Sequence, residues 1–571
     1  MPHRLAIQEE SGAGRRLARQ GAGLCLLAWL AMPGIAGTGA QSNVTPDTSR
    51  HAETSAADSV RAQLPVLVDN TVAHREPYSS VLALYARRSF APLWFGERNL
   101  TPQALELLSD MGRAGERGLR PKDYTVEFAS IQPHTPADIA RQDIHLSLTA
   151  ARFAADLHNG RVDPRAAGYD LEIPRPHFDS GQLLETVAAA PSVAAALDGI
   201  EPRFNHYALL KKILGRYRQL ALQPGLNELP NPGRTSIKPG GLYAGTPALR
   251  RLLVALTDMP LIVGDPADLH LDPATVSALE AFQSRHGLAP DGRLGHDTYV
   301  ALTTPFSQRV RQIELSLERW RWLPPKLTAP SIIVNIPQYR LFALYTTDDL
   351  EQQMLRMDVI VGKTFPLLQT PVFAAEMRYI VLHPYWDVPN SILHRELLPS
   401  IRRDPTYVTR NDFEIVRGQT DGAQAQPITP QTLDALARGE LRLRQKPGPK
   451  NPLGFVKFVF PNSHDVYLHG TAAPALFKEE QRAFSHGCVR VADPMGLMQY
   501  VLRNNPATDW GHVEDFLRGP GPPHRVPLRT PVPVLILYTT ALAAEDGRAL
   551  FFRDIYHQDQ RLQALLSAHS K

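Results

Sequence analysis

Leu468-His469-Gly470-Thr471 and, further on, Ser485-His486-Gly487-Cys488-Val489-Arg490 gather one thiol and two imidazoles into the densest group of reactive side chains in the sequence. A thiol becomes a strong nucleophile when an imidazole takes its proton or holds it as a thiolate beside an imidazolium. His486 lies two residues before Cys488, so in an extended strand both side chains would share a face. His469 stands nineteen residues before Cys488 at the end of a predicted strand, from which it would reach the same point. Gly487 permits close approach of a substrate, and the amides around Gly487 and Cys488 are candidates to face a developing oxyanion. The competing chemistry is a metal site. One Cys and two His without repeated carboxylate spacing make a weak zinc signature, and a third reading leaves both histidines in the core.

The cysteine count sharpens the point. The chain has two cysteines, Cys25 and Cys488. Cys25 falls in a segment laid out as a secretory signal over 1–40: Arg15, Arg16 and Arg19, an apolar run from Gly21 to Met32, then small residues to Ala40. The apolar run is short for a membrane span, with an uncleaved inner-membrane anchor as the alternative. The expectation is export to the periplasm with a lone thiol, Cys488, which has no disulfide partner and is exposed to oxidation. Sixty-one Lys and Arg against 57 Asp and Glu leave a net charge of +4, too small at this length for nucleic-acid binding through bulk charge. With 43% apolar and 21% charged residues, the 571-residue chain reads as three or four globular domains.

The expected class is multidomain α+β. Residues 41–74, rich in Ser, Thr, Asp and Ala, read as a flexible tether, with order beginning near Ser79. Helical spacing of apolar residues predicts a scaffold domain over 75–222. Its first block runs from Val81 to Ala129, where Thr101 caps a helix carrying Leu105 and Leu108; a second runs from Ile144 to Leu157 and a third from Ser192 to Leu222. A Pro- and Gly-rich linker follows at 223–235, then a small helical module over 236–304 and a connecting helix over 305–330. From Ser331 the period becomes strand-like. Hairpins are predicted for Ile332–Ile336 with Tyr339–Leu344 and for Phe455–Phe460 with Val466–Leu468. The β-rich domain spans 331–515, and an insertion at about 384–452, mixed and basic, is placed where a lid over the chemistry would sit. Residues 516–571 read as a C-terminal hairpin and helix.

The His469 and Ser485–Arg490 pattern resembles the catalytic signature of the L,D-transpeptidase family with the YkuD-type β fold. Thr370-Pro371, Pro384-Tyr385-Trp386, Asn451-Pro452-Leu453-Gly454 and Val456-Lys457-Phe458 are similar to its large periplasmic branch. So are Phe90-Ala91-Pro92-Leu93-Trp94 and Leu157-His158-Asn159-Gly160-Arg161 in the helical domain. Phe282-Gln283, His286-Gly287-Leu288 and Pro290-Asp291-Gly292 resemble a three-helix peptidoglycan-binding domain.

The resemblance implies a cysteine acyltransferase that needs no metal or cofactor. Cys488 matches the nucleophile and His469 the general base, with Ser485, His486, Gly487 and Gly470 in the oxyanion and substrate-facing region. Arg490, Tyr385 and Trp386 are candidates to bind the stem peptide, against an ion pair for Arg490 and core packing for the aromatics. The implied reaction releases the terminal D-alanine of a tetrapeptide donor stem and passes the acyl group to a neighbouring stem. Carbapenem β-lactams are the implied inhibitors and other wall synthases possible partners. An L,D-carboxypeptidase or a protein-to-wall anchoring transferase would use the same acyl-enzyme; a wall-binding scaffold would need no thiol, and a papain-like protease fits the β-rich surroundings poorly. Many relatives carry Asp where this chain has Gly470, so a backbone carbonyl or another side chain must orient His469.

Overall fold

The computed structural model describes residues 55–568 apart from 70–76, 128–132, 134, 172, 174–177, 262–264, 266, 347–353, 419, 506–509 and 520. The signal segment, Cys25 and the first part of the expected tether lie outside the described residues. Residues 70–74 of the tether also lie outside them, and its described part, 55–69, is a correction. Residues Ala56–Asp69 form helix α1, whose Val60, Leu64 and Val68 recur at four-residue spacing and are buried against the helical domain. Their apolar stripe outweighs the polar composition that reads as disorder.

Sharing a core with α1 are α2 (Tyr78–Arg87), α3 (Pro102–Gly112), α4 (Pro136–Asn159), α5 (Ser180–Ala189) and α6 (Val193–Asp198), whereas α7 (Asn205–Ala221) belongs to a second core together with the small module. Thr101 caps α3 by accepting the Ala104 N–H, with Pro102 in the first turn, as expected. The buried face of α3 is Ala104, Leu107 and Met111, however, and Leu105 is exposed. Asp143 of α4 explains the Phe90–Trp94 segment: its buried carboxylate accepts the Leu93 and Trp94 amides and the Tyr85 hydroxyl. The third helical block is two helices. The break holds Glu201, buried and bonded to Arg117, Lys211 and Tyr207.

The small module comprises α8 (Thr246–Ala255), α9 (Pro273–Arg285) and α10 (His296–Thr303). Buried Gln283 holds its turn, donating to Asp291, the Arg293 carbonyl and Thr298 while accepting the Gly292 N–H. The module is seated rather than tethered: Arg285 donates to the Ala549 carbonyl, and His286 lies between the rings of Phe282 and Phe551. Helix α11 (Phe306–Trp320) joins the parts, with its Arg319 paired to Asp559.

The strands are β1 (Ser331–Asn335), β2 (Arg340–Leu344), β3 (Met354–Gly362), β4 (Phe373–Leu382), β5 (Trp386–Asp387), β6 (Phe413–Val416), β7 (Ala425–Gln426), β8 (Arg442–Gln445), β9 (Val456–Val459), β10 (Leu468–His469), β11 (Ala483–Ser485), β12 (Val489–Val491), β13 (His524–Leu537), β14 (Ala541–Ala543) and β15 (Ala549–Phe551). The main sheet runs β11-β3-β12-β10-β9-β4-β13-β1-β2, and β2 also pairs with β3, closing it on itself. Both predicted hairpins of this sheet are present.

The C-terminal expectation needs correction. Only β14 and β15 form the hairpin, whereas β13 lies inside the closed sheet, antiparallel to β4 and parallel to β1. Its prolines hide the strand pattern: a register break between Pro527 and Val532 absorbs Pro531, while Pro527 and Pro533 stay paired with Tyr379 and Glu376. The insertion folds as its own sheet, β5-β8-β6-β7, over a separate core that includes Ile401, Ile415, Leu436 and Leu443.

Candidate active site

The site is built by the register of three neighbouring strands. Leu468 pairs with Val489 and His469 with Arg490 across β10 and β12, which run parallel, and His469 pairs with Lys457 across β10 and β9. Leu468, Val489, Val456 and Phe458 point into the core. By alternation, Lys457, Tyr467, His469, Cys488 and Arg490 occupy the other face. The row Lys457–His469–Arg490 therefore sets an imidazole between two cations.

Ser485 and Gly487 shape the turn that presents the thiol. Gly487 has φ +121°, a left-handed value that favours glycine. The Ser485 hydroxyl accepts the Gly487 N–H at 3.2 Å and donates to the Cys488 carbonyl at 2.5 Å. From β3 and the loop before β4, Thr370 accepts the Gly362 N–H and donates to the Gly487 carbonyl at 2.7 Å. These bonds revise the expected oxyanion donors. The Gly487 amide is committed to Ser485 and the Val489 amide to the Tyr467 carbonyl, which leaves the Cys488 N–H.

Cys488 is half-buried, and its Sγ approaches the Asp465 carbonyl at 3.7 Å. Burial pushes its thiol pKa up, while Tyr467 and the Lys457 cation act in the opposite direction. His469 is 4% exposed. Burial, the Arg490 cation and the Lys457 cation push its pKa down to about 3, with the carbonyls of Gly470 and Pro452 opposing them. It is a neutral imidazole at physiological pH. Its Nδ1 makes no hydrogen bond among the described residues, so no carboxylate orients the ring, which lies beside Tyr467 at 5.6 Å between centroids, with the carbonyls of Gly470 and Pro452 as its polar surroundings. Gly470 suits this place, because a side chain there would sit 3.2 Å from the Leu453 carbonyl oxygen.

His486 does not share an extended strand with Cys488, since it falls in the turn between β11 and β12. Its Nε2 meets Glu396 of the insertion at 2.7 Å. The insertion also brings Asp387 and Asp421 into the electrostatic surroundings of Lys457. Tyr385 carries the Arg444 guanidinium on its ring at 3.9 Å, and Trp386 packs on the insertion core beside Phe413. Among the described residues, no hydrogen bond or ring contact joins either aromatic to the thiol. Arg490 has no ion pair among the described residues and its Nε is buried without a partner, so the alternative of an ion pair for it is not realised.

Sequence reasoning gave no site role to Lys457, Tyr467, Asp465 and Thr370, although Thr370 and Lys457 lie in segments that carry the family resemblance. Tyr467 was accessible through alternation, two residues before His469. Lys457 and Thr370 carried no local signal of contact with the cysteine turn.

Three segments of the chain match family models. Residues 79–214 match the one described as "Scaffold domain", 247–302 the "Putative peptidoglycan binding domain", and 329–534, which hold every residue of the face above, the "L,D-transpeptidase catalytic domain", YkuD. A curated protein of Haemophilus influenzae (strain ATCC 51907 / DSM 11121 / KW20 / Rd), named "Putative L,D-transpeptidase", is 30% identical over 280 residues, which is 48% of this chain and 54% of that protein. The chain thus spans about half the length of this relative. The solved L,D-transpeptidase (residues 123-326) from Xylanimonas cellulosilytica DSM 15894 is 15% identical, covers 54% of this chain and 100% of its own, and has a TM-score of 0.16.

Proposed function

This chain carries a YkuD-type L,D-transpeptidase catalytic domain together with a peptidoglycan-binding domain, and on that premise we propose that it cross-links peptidoglycan stem peptides through an acyl-enzyme on Cys488. The observation that carries the reading is the shared face: a half-buried thiol, a neutral imidazole and an unpaired Arg490 on adjacent strands.

In this mechanism the Cys488 proton passes to His469 as sulfur bonds to the donor carbonyl carbon, and the carbonyl electron pair moves onto oxygen, facing the Cys488 N–H. Collapse breaks the C–N bond, and the departing D-alanine amine takes the proton back from His469. An acceptor amine then attacks the thioester and gives its proton to His469, and sulfur leaves to recover that proton. Arg490 holds a stem carboxylate, which its lack of a protein counter-ion favours. The insertion acts as a lid whose Glu396 meets His486, excluding water so that the amine outcompetes hydrolysis. The protein works in the periplasm, reached through the 1–40 signal, and carbapenems acylate the same thiol.

Mass spectrometry of muropeptides after incubation with tetrapeptide fragments tests the reading. Cross-linked dimers and free D-alanine, both absent with Cys488→Ala, are the expected result. Shortened stems without dimers would mean that water resolves the acyl-enzyme, and turnover by Cys488→Ala would refute the nucleophile.

A further inference from the structure

Lys457 is a cation near the thiol to which the mechanism above gives no task. Its ammonium forms no hydrogen bond and no ion pair among the described residues, although the side chain is only partly exposed. Its Nζ instead sits 3.8 Å from the centroid of the Tyr467 ring, and Tyr467 in turn is joined to the cysteine turn, its carbonyl accepting the Val489 N–H. A lysine held on an aromatic face without a carboxylate keeps its field available to other groups. The acids that feel it, Asp387, Asp421 and Asp465, make no ion pair with it, and the sulfur is among its electrostatic partners.

A thiolate needs a counter-cation. The usual candidate, an imidazolium, is disfavoured here, because His469 stands in register between Lys457 and Arg490 and is buried. His486 is engaged with Glu396. The groups on the face of the thiol are His469 on β10, Tyr467 and Asp465 before it, Lys457 on β9 and Arg490 on β12. Lys457 and Arg490 supply the fixed positive charge among them, and Lys457 is the one seated on the ring of Tyr467, whose carbonyl accepts the N–H of Val489, the residue after the cysteine.

We propose that Lys457 is a positioning residue for acyl transfer: seated on the Tyr467 ring, it, rather than a histidinium, is the counter-cation of the Cys488 sulfur in the free enzyme, before His469 takes part in proton transfer to and from substrate. This rests on Cys488 as the nucleophile, which the Cys488→Ala product assay tests separately.

The discriminating experiment is alkylation of Cys488 by iodoacetamide in the full chain, followed by intact mass across pH. In that step the C–S bond forms, the C–I bond breaks and iodide leaves, so no peptidoglycan substrate is involved. Lys457→Met is expected to slow alkylation at neutral pH by about tenfold, a shift of about one pH unit in the thiol titration. Lys457→Arg restores it to within about twofold, and His469→Ala leaves the midpoint in place. An unmoved midpoint in folded Lys457→Met, or a rise with His469→Ala alone, overturns the proposal. Lys457→Gln repeats the test if the Met variant does not fold. If neither folds, NMR titration of ¹³C-dimethylated lysines in wild type and Cys488→Ala decides: the Lys457 resonance titrates differently in the two if the charges are coupled, and identically if they are not.

Discussion

The Thr370 hydroxyl donates to the carbonyl of Gly487 at 2.7 Å across 117 residues of sequence. The same oxygen accepts the Gly362 N–H, and Thr370 is 2% exposed, so water does not replace either bond. Thr370→Val keeps the shape and removes the hydroxyl. Leaving buried backbone groups unpaired costs about 1–3 kcal/mol each. Urea denaturation is expected to show a loss in that range, with slower alkylation of Cys488, while Thr370→Ser retains most of both. Unchanged stability in the valine variant would mean the turn is held without Thr370.

Gly487→Ala isolates backbone conformation from crowding. The nearest atom to an added Cβ is the Gln369 carbonyl oxygen at 3.8 Å, which is ordinary contact, but φ +121° is strained for alanine. The expected cost is about 1–3 kcal/mol, or relaxation of the turn with loss of turnover. A variant with wild-type stability and wild-type rate would contradict the φ reading.

The two histidines should separate kinetically. His469→Ala removes the proton acceptor and is expected to lower kcat by at least about a hundredfold. His486→Ala loses its contact with Glu396, as does Glu396→Gln, and each should act chiefly on KM. Because that pair is partly exposed, the double variant should be hardly worse than either single one, with a coupling of about 0.2–1 kcal/mol. A larger kcat loss from His486→Ala than from His469→Ala would exchange their roles.

Asp156 on α4 predicts a pH dependence of stability. Burial raises its pKa to about 6, against the Tyr124 hydroxyl that donates to it at 2.6 Å, and Glu318 adds to the rise. A carboxyl whose folded pKa lies above its unfolded value binds its proton more tightly when folded. Its contribution is therefore complete below the unfolded value and is lost as pH rises through about 6. The difference amounts to about 3 kcal/mol. Asp156→Asn should melt higher than wild type at pH 8 and no higher at pH 4. A constant offset at both pH values would show that the carboxyl does not titrate in this window.

The sequence by itself determined the reacting groups, because a thiol, two histidines and the glycine between them lie within one short stretch and its preceding strand. It also determined features that act over a few residues: the Thr101 cap, the β1–β2 and β9–β10 hairpins, and the Gln283 to Gly292 turn. Tertiary structure decided what those groups experience. His469 owes its neutral state to burial and to cations on two neighbouring strands, and electrostatic fields depend on separation in space, not along the chain. Lys457, Thr370 and Glu396 reach the cysteine turn only once β3, β9 and the insertion close around it. For the same reason α1 reads as a polar tether and β13 as a Pro-rich tail until their partners are present: the apolar stripe of one and the ladder of the other are favourable only against surfaces that distant residues supply.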